Sequence, residues 1–484
     1  VNIKMLLSIL GRFLVPYGAA MLAPCLVAFG YRESEALPLG VGAVVTVLAG
    51  LVFLWRGNME GKMSVKEGYL VVAGAWIAAC IMGAVPYVTT GVLSSGVDAI
   101  FEATAGFTTT GASVLTDLES VSRGVLLWRS MSNWLGGMGV IMLFILLLPN
   151  MGISTVTLYN TEAADFMPQK VMPKIKDKVV LLWKIYVGLT VAVAIALVMA
   201  GMPFYDAVNH ALTSVCTGGF STSSQGIGGY HGAAIGIVLM ITMVLGSTNF
   251  TLFIAVLQKN GRELFRNLEL RAYLLIMLGA AALIGANLVL AGGVRVDQAL
   301  WQASFHTVSF GSSTAYVTVD YDTWPGFSKL ILFLLMAVGG CASSTAGGMK
   351  VSRVLVLGKM AVAFVKKAIH PKQIQPIKLG GHTLGEPLQN AVSQFFFLFA
   401  ALFVVSSLIM SALGYEPFEA MGVTLSALGN TGSAFGAFGP SEGVAEAAMG
   451  VKLLLCCNML FGRLEIIALA VLVIPDFWKR RKTW

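Results

Sequence analysis

Apolar runs long enough to cross a lipid bilayer, about 20 residues each, recur along almost the whole chain. They decide most of what it can fold into. The runs lie at Leu6–Tyr31, Leu37–Trp55, Gly68–Thr90, Val125–Pro149, Val179–Met202, Gly232–Leu257, Ala272–Ala291, Phe327–Gly340, Leu388–Leu413 and Met449–Ile474. Their periodicity is helical, which argues against the strands of a closed barrel. Only 12% of the 484 residues are charged, against about 25% in soluble domains. The chain therefore reads as an all-α, polytopic membrane protein. The first run has Lys4 and Arg12 near its start and no small-residue cleavage pattern after it, so it is expected to stay as a helix.

Four polar stretches break this pattern: TTTGAS (Thr108–Ser113), CTGGFST (Cys216–Thr222), SSTAYVT (Ser312–Thr318) and GNTGSAF (Gly429–Phe435). Charge placement tells on which side they lie. Lys and Arg crowd Arg56–Lys66, Lys170–Lys184, Lys259–Arg271, Lys350–Lys378 and the C-terminal WKRRKTW, whereas Gly218–Gly232 and Thr431–Val451 contain none. The positive-inside rule puts the basic set in the cytoplasm, so the four polar stretches approach from the other face. Basic clusters that set topology give no reason to expect nucleic-acid binding. The six cysteines form no CxxC pair, the five histidines form no HExxH pattern, and neither a P-loop nor a GxGxxG after a strand occurs. These absences leave buried thiols as the simple reading of the cysteines and give no support to nucleotide hydrolysis.

The four stretches end four 14-residue segments that align with one another. They are DAIFEATAGFTTTG from Asp98, DAVNHALTSVCTGG from Asp206, QASFHTVSFGSSTA from Gln302 and EAMGVTLSALGNTG from Glu419. Each opens with Asp, Glu or Gln and then Ala, and each closes on Gly except the third, which closes on Ala315. The implied unit is span, re-entrant segment, span, repeated four times about a pseudo-fourfold axis. Two extra N-terminal helices occupy residues 1–66. The units follow at 67–160, 161–260, 261–370 and 371–484, the last including the basic C-terminus. Polar backbone at membrane depth is tolerated only where protein buries it or it lines a watery cavity. Four such segments would line a central pore. Carbonyls ahead of each glycine can replace a cation's hydration shell, glycine accepts φ > 0, and the preceding half-helix aims its partly negative C-terminus at the ion. Asp117, Glu119, Asp320, Asp322, Glu442 and Glu446 either concentrate cations at the mouth or are merely solvated loop acids.

FTTTGAS, WRSMSNWLGGMGVIML (Trp128–Leu143), GGCASSTAGGMKVSRVLVL (Gly339–Leu357), HPKQIQPIKLGG (His370–Gly381) and FGRLEI (Phe461–Ile466) together resemble the Trk/Ktr/HKT superfamily of cation transporters. Among its branches, the bacterial TrkH type is the most similar. The resemblance spans essentially the whole chain. It implies potassium uptake across the bacterial inner membrane through a channel-like pore, with both termini cytoplasmic. It also implies a homodimer with one pore per protomer, a cytoplasmic nucleotide-binding regulator of the TrkA type, and no organic cofactor in this chain.

Carried over by position, the potassium-binding filter is Thr109, Thr110 and Gly111; Thr217, Gly218 and Gly219; Ser313, Thr314 and Ala315; and Asn430, Thr431 and Gly432. Ala315 departs from the usual glycine, so the third strand is expected to bend differently. The stretch Cys341, Ala342, Ser343, Ser344, Thr345, Ala346 and Gly347 is either a close-packing interruption of a helix or, as the resemblance implies, a loop obstructing the pore below the filter. Arg463, with Lys350 and Arg353 as relatives, is either a structural partner of Glu465, a helix-end anchor, or a cationic pore barrier. Arg129 is expected to cap or anchor its span. An ion-coupled secondary transporter is the main rival, but it predicts inverted pairs of repeats, whereas these segments share one direction. Ser or His chemistry is a distant second. His210 and His306 share one column of the repeat without a recognisable acidic partner.

Overall fold

A computed structural model describes residues 2–58, 64–139, 175–230, 232–258, 261–370, 376–380, 382–440 and 443–479. The helices, in order, are α1 (Ile3–Ala20), α2 (Leu22–Gly30), α3 (Ala36–Arg56), α4 (Val65–Thr89), α5 (Gly96–Phe107), α6 (Arg123–Gly137) and α7 (Ile175–Met199). They continue as α8 (Phe204–Val215), α9 (Ala233–Gly246), α10 (Phe250–Leu257), α11 (Arg262–Arg266), α12 (Leu268–Leu290), α13 (Val296–Gly311) and α14 (Gly326–Val338). The remainder are α15 (Val351–Ile369), α16 (Glu386–Ala412), α17 (Pro417–Leu428), α18 (Met449–Arg463), α19 (Ile467–Val473) and α20 (Pro475–Trp478). A two-residue antiparallel hairpin pairs Lys378 with Thr383 and Leu379 with His382.

Among the described residues, six helices are long and apolar enough to cross a membrane, or eight if each of two bent pairs counts as one span. Their surfaces carry large apolar side chains that face outward, such as Leu26, Leu48, Leu275, Leu278 and Leu290. A water-soluble domain does not expose contiguous apolar faces of this extent, whereas lipid costs them nothing. The protein is thus mostly helical and multi-pass, as composition predicts.

Tight helix pairing here depends on small residues, since lipid supplies no hydrophobic drive between helices. A side chain at Gly11 or Gly18 of α1 would collide with α3: an added Cβ would lie 2.6 Å from the Gly50 carbonyl oxygen at the first and 2.8 Å from Val47 at the second. Tyr17 of α1 reaches through this contact to donate to the Ala79 carbonyl at 2.9 Å, tying α1 to α4.

α5, α8 and α17 have 12 residues each and α13 has 16. At 1.5 Å per residue the shorter ones reach about 18 Å, well short of a bilayer's roughly 30 Å core. The three shorter ones begin on a defined start signal. Ser95 caps α5 by accepting from Asp98 N, Pro203 precedes α8, and Pro417 is the first residue of α17. All four carry an acid in the first turn, namely Asp98, Asp206, Asp297 and Glu419, where the helix dipole favours it.

Several expected continuous spans are broken. Gly232–Leu257 is two helices, α9 and α10, bent by 93°, and Met449–Ile474 is α18 and α19, bent by 120°. α14 ends at Val338, within the Phe327–Gly340 span. α6 stops at Gly137, and the rest of the Val125–Pro149 span beyond Gly139 lies outside the described residues. Window-averaged hydropathy does not register the two bends, because the few polar residues at them (Ser247, Thr248 and Asn249; Arg463 and Glu465) sit between long apolar runs. Their cause is tertiary. A Cβ at Gly136, Gly246 or Gly462 would meet the carbonyl oxygen of Phe107, Val215 or Leu428 at 1.8, 2.7 or 2.1 Å. The long helices thus pass in backbone contact with the ends of α5, α8 and α17.

If the positive-inside argument holds, a cysteine at exposed Gln225 should react with an impermeant thiol reagent added outside cells. One at exposed Lys367 in α15 should react only after the membrane is made permeable. The background should lack the exposed native Cys457. Outside labelling of the Lys367 position would reverse the assigned topology.

Candidate functional site

The four short helices all end in the same way. The N–H of Thr110 donates to Ala105 O (2.9 Å), Gly218 to Thr213 O (2.8 Å), Thr314 to Ser309 O (2.9 Å) and Thr431 to Ser426 O (2.8 Å). One residue earlier, the N–H groups of Thr109, Thr217, Ser313 and Asn430 donate to Gly106, Ser214, Phe310 and Ala427. These are Schellman caps. Such a cap needs a left-handed residue, and φ is +55° at Thr109, +52° at Thr217, +56° at Ser313 and +49° at Asn430. Glycine is the usual occupant. A residue with a Cβ costs about 1–2 kcal/mol there, so these side chains are held against a conformational preference.

Two residues on, φ is again positive, at +78° for Gly111, +77° for Gly219, +54° for Ala315 and +102° for Gly432. The following N–H groups also turn back to the helix: Gly111 to Ala105 O, Gly219 to Thr213 O, Ala315 to Ser309 O, and Gly432 to the Ser426 hydroxyl. Donors are thus spent on the helix ends. The carbonyls of Thr109, Thr110, Thr217, Gly218, Ser313, Thr314, Asn430 and Thr431 accept no hydrogen bond from the described residues. Buried backbone carbonyls left unpaired are uncommon; here eight occur in four matching places.

The runs meet edge to edge. A Cβ at Gly111 would lie 2.1 Å from Gly218 O, at Gly219 1.8 Å from Thr314 O, and at Gly432 2.0 Å from Thr110 O. Between the third and fourth runs, Ser433 Oγ donates to Ala315 O at 3.2 Å. Asn430 Nδ2 donates to Thr110 Oγ1 (3.0 Å) and Met459 O (2.9 Å). All twelve residues expected in the filter therefore come together in one closed ring. Ala315 keeps the left-handed conformation of the glycine column with a smaller φ, so the expected difference in the third run amounts to a modest change of angle.

Below the helix-proximal end of the ring, Gly339–Lys350 forms a loop, with φ of +68° at Gly339, +51° at Ser343, +80° at Gly348 and +73° at Lys350. It fills the break between α9 and α10. Cys341 N donates to Ser247 O (2.9 Å), Thr345 Oγ1 to Gly246 O (2.9 Å) and Val215 O (3.2 Å), and Phe250 N donates back to Ser343 O (3.0 Å). Glu269 of α12 accepts from Ala342 N (2.7 Å) and Ser352 N (3.1 Å). Ser344 Oγ closes the turn on Cys341 O at 2.6 Å. Two broken segments thus satisfy each other's backbone, as membrane depth requires.

The loop also touches the ring. Thr345 and Thr217 hydroxyls are 3.2 Å apart, and Gly347 N donates to Ser313 Oγ at 2.6 Å. A Cβ at Gly347 would sit 2.0 Å from Gly429 O. Lys350 Nζ donates to the Ala346 carbonyl. Arg463 donates to Thr345 O (2.9 Å), Gly136 O (2.5 Å) and Gly137 O (2.9 Å). It therefore joins the loop to the end of α6, while Glu465 forms an ion pair with Arg353. The expected loop residues and both expected cations are thus gathered at one level.

Arg129 is not a cap or anchor. It is buried, with its Nε 2.5 Å from Glu102 of α5 and its guanidinium 3.6 Å from the Phe220 ring centroid. Stripping one member from a buried pair costs about 3–5 kcal/mol. The missed signal was Glu102, a carboxylate inside an apolar segment, read earlier only as part of the alignment. Among the mouth acids, Glu119 accepts from Ser224 N (2.9 Å) and Ser223 Oγ (3.2 Å). The Ser224 hydroxyl beside it holds its carboxyl below the usual range. It thus ties two outer loops together as well as carrying charge. Glu442 lies outside the described residues.

The glycine column gives a direct test. Gly219→Ala would place a methyl 1.8 Å from the Thr314 carbonyl, and displacing that oxygen should weaken discrimination between potassium and sodium by roughly tenfold, the equivalent of about 1.4 kcal/mol. Ala315→Gly removes only left-handed strain and should retain transport, with discrimination equal or sharper. Permeability ratios from reversal potentials measure both.

The family model described as TrkH, cation transport protein, matches residues 41–480. The chain is 34% identical to the Trk system potassium uptake protein TrkH of Salmonella typhimurium, covering 99% of this chain and all of that one. It is 32% identical to the Escherichia coli protein of the same name, also over 99% of this chain and all of the relative. The crystal structure of the potassium transporter TrkH from Vibrio parahaemolyticus superposes with a TM-score of 0.89 at 30% identity, covering 99% of this chain and all of that one. With a family model spanning most of its length and full-length relatives above 30% identity, the chain belongs to the TrkH family of cation transport proteins.

Proposed function

We propose that the protein takes up potassium across the bacterial inner membrane through a selective, channel-like pore gated from the cytoplasmic side. The observation that carries this reading is the ring of unpaired carbonyls on four matched helix ends. Carbonyl dipoles arranged around an axis can exchange for a potassium ion's water shell. The C-termini of α5, α8, α13 and α17 add partial negative charge at the same place. The names of the relatives, which are potassium uptake proteins, agree with it.

In this reading the division is two N-terminal spans over 1–66, α1 with α2 and then α3, and four pore units at 67–160, 161–260, 261–370 and 371–484. Both termini face the cytoplasm. The loop from Cys341 to Gly347 is the gate, and Lys350 and Arg463 form a cationic barrier at the same level. Its hydrogen bonds to Thr217 and Ser313 hold it against the filter when closed. Displacing it requires the Thr345 and Gly347 contacts to be exchanged for water. The helix that follows, α15, ends in Lys366 and Lys367, where a TrkA-type nucleotide-binding regulator would grip it. A homodimer, each protomer with its own pore, completes the assembly.

Reversal potentials of purified protein in planar bilayers test the transport reading. Under a potassium gradient alone, current should reverse near the potassium equilibrium potential. A reversal that instead moves with a proton or sodium gradient would replace the channel with a coupled carrier. Deleting residues 342–346 should raise flux without any regulator, and Arg463→Ala should raise it less. A folded deletion variant that conducts no better than wild type would make the loop a packing element.

A further inference from the structure

The four units brace their filter runs unequally. The fifth residue of each aligned segment faces the residue two places beyond the glycine column. In the first unit Glu102 accepts from Ser113 Oγ (2.9 and 3.1 Å) and from Val114 N (2.9 Å). In the second, His210 Nε2 lies 3.1 Å from Ser221 Oγ. In the third, His306 Nε2 is buried with no hydrogen-bond partner, and in the fourth the residue is Val423. Charge enters this column in the first unit only, and it carries a counter-charge. Arg129 binds Glu102 through Nε at 2.5 Å and donates from Nη1 to the Ser221 carbonyl at 2.9 Å. One guanidinium thereby fastens the outer end of the first run, through Glu102, to the outer end of the second.

We propose that Glu102 and Arg129 are positioning residues for ion selectivity, setting the spacing of the first two filter runs. This rests on the reading of the ring as a potassium filter. Neither residue touches the carbonyl ligands; both act through Ser113, Val114 and Ser221. A planar, fork-shaped donor is required, since it must satisfy a carboxylate and a carbonyl in two directions at once. Lysine carries its three donors on one nitrogen and cannot reproduce two contacts made from the separate Nε and Nη1 atoms. Because the carbonyls of one run lie against the glycine of the next, a small slip of the second run relative to the first changes the size and shape of every coordination layer.

Two variants test this. Arg129→Lys keeps the charge beside Glu102 but replaces the separate Nε and Nη1 contacts by donors on one nitrogen, which loosens the tie to Ser221. The double variant Glu102→His, Arg129→Leu transplants the second unit's own solution. Gly136 and Gly246 occupy matching places against Phe107 O and Val215 O, and seven residues before them stand Arg129 and Leu239. Both proteins should fold and carry potassium, while the potassium-to-sodium permeability ratio falls severalfold in each. Melting temperature, measured alongside, separates stability from selectivity. A folded variant of either kind that keeps the wild-type ratio overturns the proposal. So does failure of both to fold, which would make the pair a folding element. Absence of any potassium preference in the wild-type protein would instead remove the filter reading itself.

Discussion

Everything at the centre of this protein depends on how four helix ends dispose of their backbone hydrogen bonds. A helix leaves its last carbonyls unpaired, and a Schellman cap satisfies some of them with the next N–H groups. Here the cap consumes donors from the polar run itself. The run's own carbonyls then have no donor among the described residues. In lipid an unpaired carbonyl is expensive, so such runs persist only where an ion or water can reach them. The requirement for a central hydrated space is thus set by hydrogen-bond stoichiometry before any question of selectivity arises.

The same accounting explains the broken second helices. A break within the membrane exposes carbonyls above it and N–H groups below. The Gly339–Lys350 loop supplies Cys341 N and the Thr345 hydroxyl to the carbonyls of Ser247 and Gly246, and Ser343 O to Phe250 N. Arg463, with its five donors, takes up the carbonyls of Gly136, Gly137 and Thr345. Loop, broken helices and arginine are therefore one hydrogen-bonded floor beneath the ring, and motion in one member frees groups on the others. The left-handed Thr217 and Ser313 belong to both layers: their backbones form the caps and their hydroxyls meet the floor. That double duty gives a reason for residues other than glycine at a position where glycine would cost less.

The sequence by itself determined the membrane setting and the four aligned segments, onto which the family resemblance placed the twelve ring residues. These follow from signals that survive in one dimension: long apolar runs, acidic residues with alanine at segment starts, and hydroxyls closed by glycine. The short helices were legible as half-helices because the stretch before each polar run is too short to cross the bilayer. The loop residues and Arg463 could be singled out, but with packing and pairing alternatives still open. Tertiary structure decided what the segments touch. Gly136, Gly246 and Gly462 give no sign in sequence that a helix end crosses each of them in backbone contact. The breaks after α9 and α18 hold only a few polar residues between long apolar runs and so escape averaged hydropathy. Arg129 could be read as an anchor because its partner, Glu102, is 27 residues away on another helix, and burial of that pair exists only once α5 and α6 pack. Local pattern records which backbone states a residue favours and which solvent it meets; the pairing of distant polar groups is fixed only when folding excludes water and lipid from around them.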